Sequence, residues 1–182
     1  MAQLVLSDSR TLTMEPLRKN RWLMQFQKIP NAANVTNNEL SFVALTSGVP
    51  ELTLEAKEYH RLNERFYMNS KPSWNELPMT FYDFISGTNS AADILYKWMT
   101  LLYNPLTGAM AYKSQFTTTG TLAMLDPEGA PVRIWNLYQM WPTKVNWGEG
   151  LDATSDDPNI ISVTFRYDFA IKQDDIDTNP RT

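Results

Sequence analysis

Cysteine is absent and histidine occurs once, at position 60, in a chain of 182 residues. Without thiols there is no disulfide, no thiolate nucleophile and no zinc site that needs sulfur, a composition that fits a reducing compartment. His60 sits between Tyr59 and Arg61 in a charged stretch. It reads as an ordinary exposed or partner-facing residue rather than as the base of a triad. A metal site would have to be built almost wholly from carboxylates. The seven glycines never fall into a G-x-x-x-x-G-K or G-x-G-x-x-G spacing, so no phosphate-cradling loop is present. The 11 prolines are scattered, and neither a linker nor an internal repeat marks a second domain. No run of about 18 apolar residues exists, and the first residues lack a basic stretch followed by an apolar one, so neither a membrane anchor nor a leader is expected. Sixteen basic residues against 20 acidic give a net charge of -4, the wrong sign for a protein that grips phosphate backbones.

What remains is apolar and aromatic, 43% and 12% of the chain, enough for one core at single-domain length. Alternation with period two, the mark of half-buried strands, dominates. Residues 21–28 put Trp22, Met24 and Phe26 on one face before Pro30, and 40–46 form a short apolar strand ended by Ser47 and Gly48. In 51–57, Leu52, Leu54 and Ala56 oppose Glu51, Thr53, Glu55 and Lys57. The run 62–69 sets Leu62, Phe66 and Met68 against Asn63, Arg65, Tyr67 and Asn69, which predicts a long hairpin turning near 59–61. A further strand spans 79–85. Ser90 then stands three residues before Asp93, an N-cap signal, and Ala91, Ile94, Leu95, Trp98, Leu101 and Leu102 recur at helical spacing until Asn104 and Pro105. That stripe is the face that packs on the sheet, with Ile94, Leu95, Trp98, Leu101 and Leu102 as packing residues.

Residues 116–125 and 132–141 flank the turn sequence Asp126-Pro127-Glu128-Gly129-Ala130 and predict a second hairpin. The last strand, 160–171, places Ile161, Val163, Phe165, Tyr167, Phe169 and Ile171 on one face and Ser162, Thr164, Arg166 and Asp168 on the other. The fold class is mainly β (α+β): an antiparallel barrel or sandwich, closed or nearly closed, with one flanking helix and a long protruding hairpin.

The order of these elements and several motifs resemble a known family. They are Asn20-Arg21-Trp22-Leu23-Met24-Gln25-Phe26, Leu45-Thr46-Ser47-Gly48-Val49-Pro50, Leu77-Pro78-Met79-Thr80-Phe81-Tyr82-Asp83, Trp141-Pro142-Thr143-Lys144-Val145 and Ile161-Ser162-Val163-Thr164-Phe165-Arg166-Tyr167-Asp168. The chain resembles the tail tube proteins of contractile-tailed bacteriophages, similar in fold to the type VI secretion tube protein. The resemblance implies a single domain over 1–182, with a core at about 18–172, the hairpin at about 51–71 and a flexible tail at 173–182.

It further implies homohexameric rings whose strands join into an inner barrel, stacked helically as a tube inside a sheath. Its partners would be copies of itself, the tail sheath protein, and baseplate and tail terminator proteins. Passing DNA would not be tightly bound. The protein would be made in the host cytoplasm and reside in the virion tail, without membrane anchoring, cofactor or catalysis. The hairpin charges Glu51, Glu55, Lys57, Glu58, Arg61, Glu64, Arg65 and Lys71 are balanced in sign, which suits a contact between subunits. Thr117, Thr119, Thr121, Ser162, Thr164 and Asp168 are candidates to line the channel. The competing readings are a tube-like baseplate ring that starts polymerisation, a type VI tube, and, from another class, a small-ligand-binding barrel or carbohydrate-active enzyme. No spacing identifies the carboxylate pair that glycoside hydrolysis needs.

Overall fold

The computed structural model describes residues 16–30, 39–85, 90–148, 150 and 152–173. The expected tail from 174 onward lies outside the described residues. The fold is mainly antiparallel β, as the alternation predicts. Seven strands form one sheet in the order β1 (Trp22–Phe26), β6 (Thr118–Leu125), β7 (Pro131–Asn146), β8 (Ile160–Arg166), β5 (Leu77–Tyr82) and β2 (Ala44–Ser47), with β9 (Phe169–Lys172) also on β7. A separate two-stranded sheet holds β3 (Leu52–Arg61) and β4 (Glu64–Trp74). The helices are α1 (Glu39–Phe42), α2 (Ala91–Leu102) and α3 (Lys113–Phe116).

β7 is the spine. Its first part lies between β6 and β9, and its second part pairs with β8. Gln139, at φ 56, marks the change. Opposite it, Asp168 N–H donates to Tyr138 O at 3.0 Å. The sheet bends there into two four-stranded halves, β1-β6-β7-β9 and β7-β8-β5-β2. The ladder stays open, with β1 and β2 as its ends.

The core lies between the halves. Phe165 packs on Phe26, Phe81 and Trp98 with ring centroids 5.7, 6.5 and 5.8 Å apart. α2 starts where Ser90 Oγ accepts from Asp93 N–H at 3.1 Å, and it buries Ala91, Ile94, Leu95 and Trp98. Leu102 packs on the margin of the core and Leu101 is half-buried. Trp98 Nε1 donates to Phe116 O at 2.7 Å, which satisfies the buried indole and ties α2 to α3.

Five sequence expectations need correction. Residues 40–46 are not one strand: a helical turn precedes β2, because the pairing with β5 begins only at Val43 O and Ala44. The hairpin turns at Leu62 and Asn63 rather than 59–61, Leu62 taking φ 54. β5 stops at Tyr82, short of 85. β7 continues through Pro142 to Asn146, since Pro142 faces the core on an edge where no N–H is needed, and Phe116 belongs to α3. The last strand breaks at Tyr167 and Asp168, and its faces exchange there: Ala170 is buried and Phe169 exposed.

Candidate functional site

The β3–β4 hairpin has no partner within the chain. Every residue of β3 is exposed, and in β4 only Ser70 and Trp74 are partly covered. It is anchored at its base, where Trp74 packs on Tyr167 with centroids 5.9 Å apart and Asn75 N–H donates to Glu51 O at 3.0 Å. Tyr167 is itself buried. That burial pushes its phenol pKa up from the ordinary value, against the lowering effects of the Glu51 main chain and the Arg166 charge.

Register decides what each hairpin face presents. Leu52 lies opposite Trp74 and Leu54 opposite Pro72, an uncharged surface at the base. A register shift follows, and beyond it Lys57 opposes Met68 and Tyr59 opposes Phe66 on the other face. Tyr59 and Phe66 stack at 5.6 Å with the Lys57 ammonium 5.7 Å from the Tyr59 centroid. The tip carries charge: Arg65 Nε lies 3.5 Å from Glu58 Oε1 and His60 Nε2 lies 3.7 Å from the same oxygen. Arg61 stands opposite Glu64. Two of the eight hairpin charges, Glu58 and Arg65, are therefore paired within one hairpin, and Glu51, Glu55 and Lys71 are spread along its length. The exposed apolar side chains of the hairpin are a surface that charge counting missed. Alternation showed which side chains share a strand face but not that nothing packs on them.

The second candidate surface is the sheet face turned from the core. On the half β1-β6-β7-β9 that face carries Gln25, Thr119, Thr121 and Asn136, in register, with Thr121 Oγ1 donating to Asn136 Oδ1 at 3.1 Å. Along the same strands it also holds Leu23, Ala123, Ile134 and Ile171, and no charged residue. Tyr138 and Phe169 stack on it at 4.8 Å. Ser162 and Thr164 lie on the other half, where Lys144 and Arg166 share their face. Thr117 precedes β6 and its hydroxyl reaches Lys113 O and Gln139 Oε1 at 2.8 and 2.7 Å. Asp168 sits at the break and pairs with Lys113.

Neither a ligand site nor a metal centre accompanies these surfaces. A cleft of about 430 Å³ opens between the ends of β1, β2 and β6, ringed by Arg18, Lys19, Arg21 and Arg133. Among the described residues no three His, Cys, Asp or Glu side chains gather as metal ligands. No described helix is long and apolar enough to cross a membrane.

No protein-family model matches the sequence, and no curated protein matches it. Solved structures do. A chain of the tube-terminating cap of the anti-feeding prophage aligns with a TM-score of 0.65 over 93% of this chain and 99% of its own, at 13% identity. A chain of the anti-feeding prophage baseplate gives 0.64 over 88% and 97%, at 16% identity. A chain of the sheath–tube complex of an extracellular contractile injection system, in its extended state, gives 0.63 over 94% and 99%, at 17% identity. The likeness is one of fold, covers nearly the whole chain, and supports a tube-type structural role.

Proposed function

We propose that this chain is the repeated subunit of the inner tube of a contractile tail. Copies close into six-membered rings, the rings stack within a sheath, and the genome passes down the channel without tight binding; no reaction is catalysed. The observation that carries the reading is the half-sheet β1-β6-β7-β9, which ends in two unpaired edges. Its strands are antiparallel throughout, so with four of them the edge strands β1 and β9 run in opposite directions. A neighbour's β1 set beside β9 continues the antiparallel order from copy to copy, and rotation closes the ladder. An exposed edge is ordinarily a hazard, and here it is the means of assembly.

This half-sheet also suits the channel. Its outward face is uncharged, whereas cations on the other half would hold phosphates. Thr119 and Thr121 are then the channel residues of the six candidates, and Ser162 and Thr164 face elsewhere. The hairpin reaches a neighbouring copy, and the sheath, baseplate and terminator proteins are the remaining partners, in a particle such as a virion.

The test is light scattering and negative-stain microscopy of the purified protein over a concentration series. Hexameric rings and tubes are the expected result. Protein that stays monomeric at every concentration, without rings on a supplied baseplate, sinks the proposal. Likeness to a cap chain keeps a second reading, a ring that starts or ends a tube, which single rings that never stack would favour.

A further inference from the structure

Residues 103–112, between α2 and α3, contain no charged side chain. The segment is internally hydrogen-bonded: Tyr103 bridges Met110, Asn104 N–H donates to Ala109 O at 3.0 Å, Gly108 N–H donates to Asn104 O at 2.8 Å, and Leu106 N–H donates to Asn104 Oδ1 at 2.9 Å. With these main-chain groups satisfied inside the loop, its large side chains point to water: Leu106 is 94% exposed, Met110 79% and Tyr112 81%. An ordered, uncharged loop that holds such side chains outward is a contact surface in waiting.

The chemistry restricts what can cover it. A charged group brought onto this loop would lose its water and meet no counter-charge. The hairpin tip, with Glu58, Arg61, Glu64 and Arg65, is therefore excluded, while the base face formed by Leu52, Leu54 and Pro72 is apolar, uncharged and exposed. Position agrees with chemistry. Lys113, directly after the loop, pairs with Asp168, the residue after Tyr167, on which Trp74 of the hairpin base packs. Loop and hairpin base thus lie close together in one copy and stand at a similar level along any rotation axis. Rotation then brings one copy's hairpin base beside the next copy's loop at that level, whereas a contact between stacked rings needs elements at different levels.

We propose that the 103–112 loop is the receptor for the hairpin base of the adjacent copy in the same ring; this rests on the assembly reading above. The chain has no cysteine, so introduced pairs report cleanly. Leu54→Cys combined with Leu106→Cys, assembled and mildly oxidised, should give a ladder of linked copies on a non-reducing gel. Arg61→Cys at the tip with Leu106→Cys should give about tenfold less. In a second variant, Leu106→Ser with Met110→Ser should leave the monomer's melting unchanged and cut the fraction in rings about tenfold. Normal ring yield from the serine variant, or a 54–106 ladder no stronger than the tip control, overturns this inference and leaves the assembly reading standing. Failure of the unaltered protein to form rings overturns that reading and this inference with it.

Discussion

Trp98→Ala tests whether α2 belongs to the core or merely rests on it. The indole is fully buried, packs on Phe26 and Phe165, and donates to Phe116 O. Removing a ring of roughly 200 Å² at about 25 cal/mol per Å² takes away up to about 5 kcal/mol. Aromatic-to-alanine changes in cores cost about 3–5 kcal/mol, and the orphaned Phe116 carbonyl adds about 1 kcal/mol unless water reaches it. A loss of about 4 kcal/mol is a large share of a domain's roughly 5–15 kcal/mol. Trp98→Phe keeps most of the ring and loses the hydrogen bond, for about 1–2 kcal/mol. Urea unfolding reads both: with a slope of about 2 kcal/mol per M, the midpoint should fall by about 2 M for alanine and by less than about 1 M for phenylalanine, at unchanged slope. An alanine variant within about 0.3 M of the parent would refute the packing argument, and equal losses in both variants would show that the hydrogen bond, not the ring, is what matters.

Reversing Arg61 and Arg65 together to Glu should abolish rings and tubes on size-exclusion chromatography while leaving the monomer's melting in place, because exposed pairs such as Arg65–Glu58 contribute at most about 1 kcal/mol. Tubes of normal length from this variant would show the tip to be merely solvated. Tyr167 is held neutral by burial, so the unfolded chain ionises first as pH rises, and the stabilising difference present below pH 10.0 is lost above it; Tyr167→Phe should flatten that part of the alkaline loss, read as the denaturation midpoint against pH, and a parallel profile for both proteins would refute it. Assembled tubes should retain no DNA on a filter at physiological salt, while Thr119→Lys with Thr121→Lys should introduce salt-sensitive retention; strong binding by the unaltered tube would overturn the account of the channel.

How much of this was legible in the sequence follows from how local each signal is. α2 was readable to its first and last residue because its cap and stripe are local: Ser90 and Asp93 supply the cap, and Ile94, Leu95 and Trp98 recur at helical spacing. The hairpin was readable as an element but not in its turn, since Leu62 occupies a left-handed position usually given to Gly or Asn. The break at Tyr167 and Asp168 was hidden because its cause lies across the ladder at Gln139 and on α3 at Lys113. Alternation continues unbroken through 160–171 in the sequence, yet the face exchanges in space. The receptor loop carried a plain local signal, the absence of charge over 103–112. Its meaning depended on exposure, which composition does not report.

The separation between core and contact surfaces bears on how such a subunit can be both a stable monomer and a good polymer. The residues that hold the fold, from Phe26 through Trp98 to Phe165, are buried whether or not a neighbour is present. The hairpin contributes only Trp74 to the margin of that core. Contact residues are thus free to change with little effect on the monomer, and their effect appears in assembly. There it is amplified: in a closed ring each copy gives every contact once and receives it once. A loss of about 1.4 kcal/mol weakens one contact tenfold, and the same loss recurs at each junction around the ring. A hairpin or loop substitution too mild to register in a melting curve is therefore enough to empty the ring population. This is why solubility of the free chain and loss of tubes should be found together in the contact variants, whereas the core variant Trp98→Ala should lose both fold and tube.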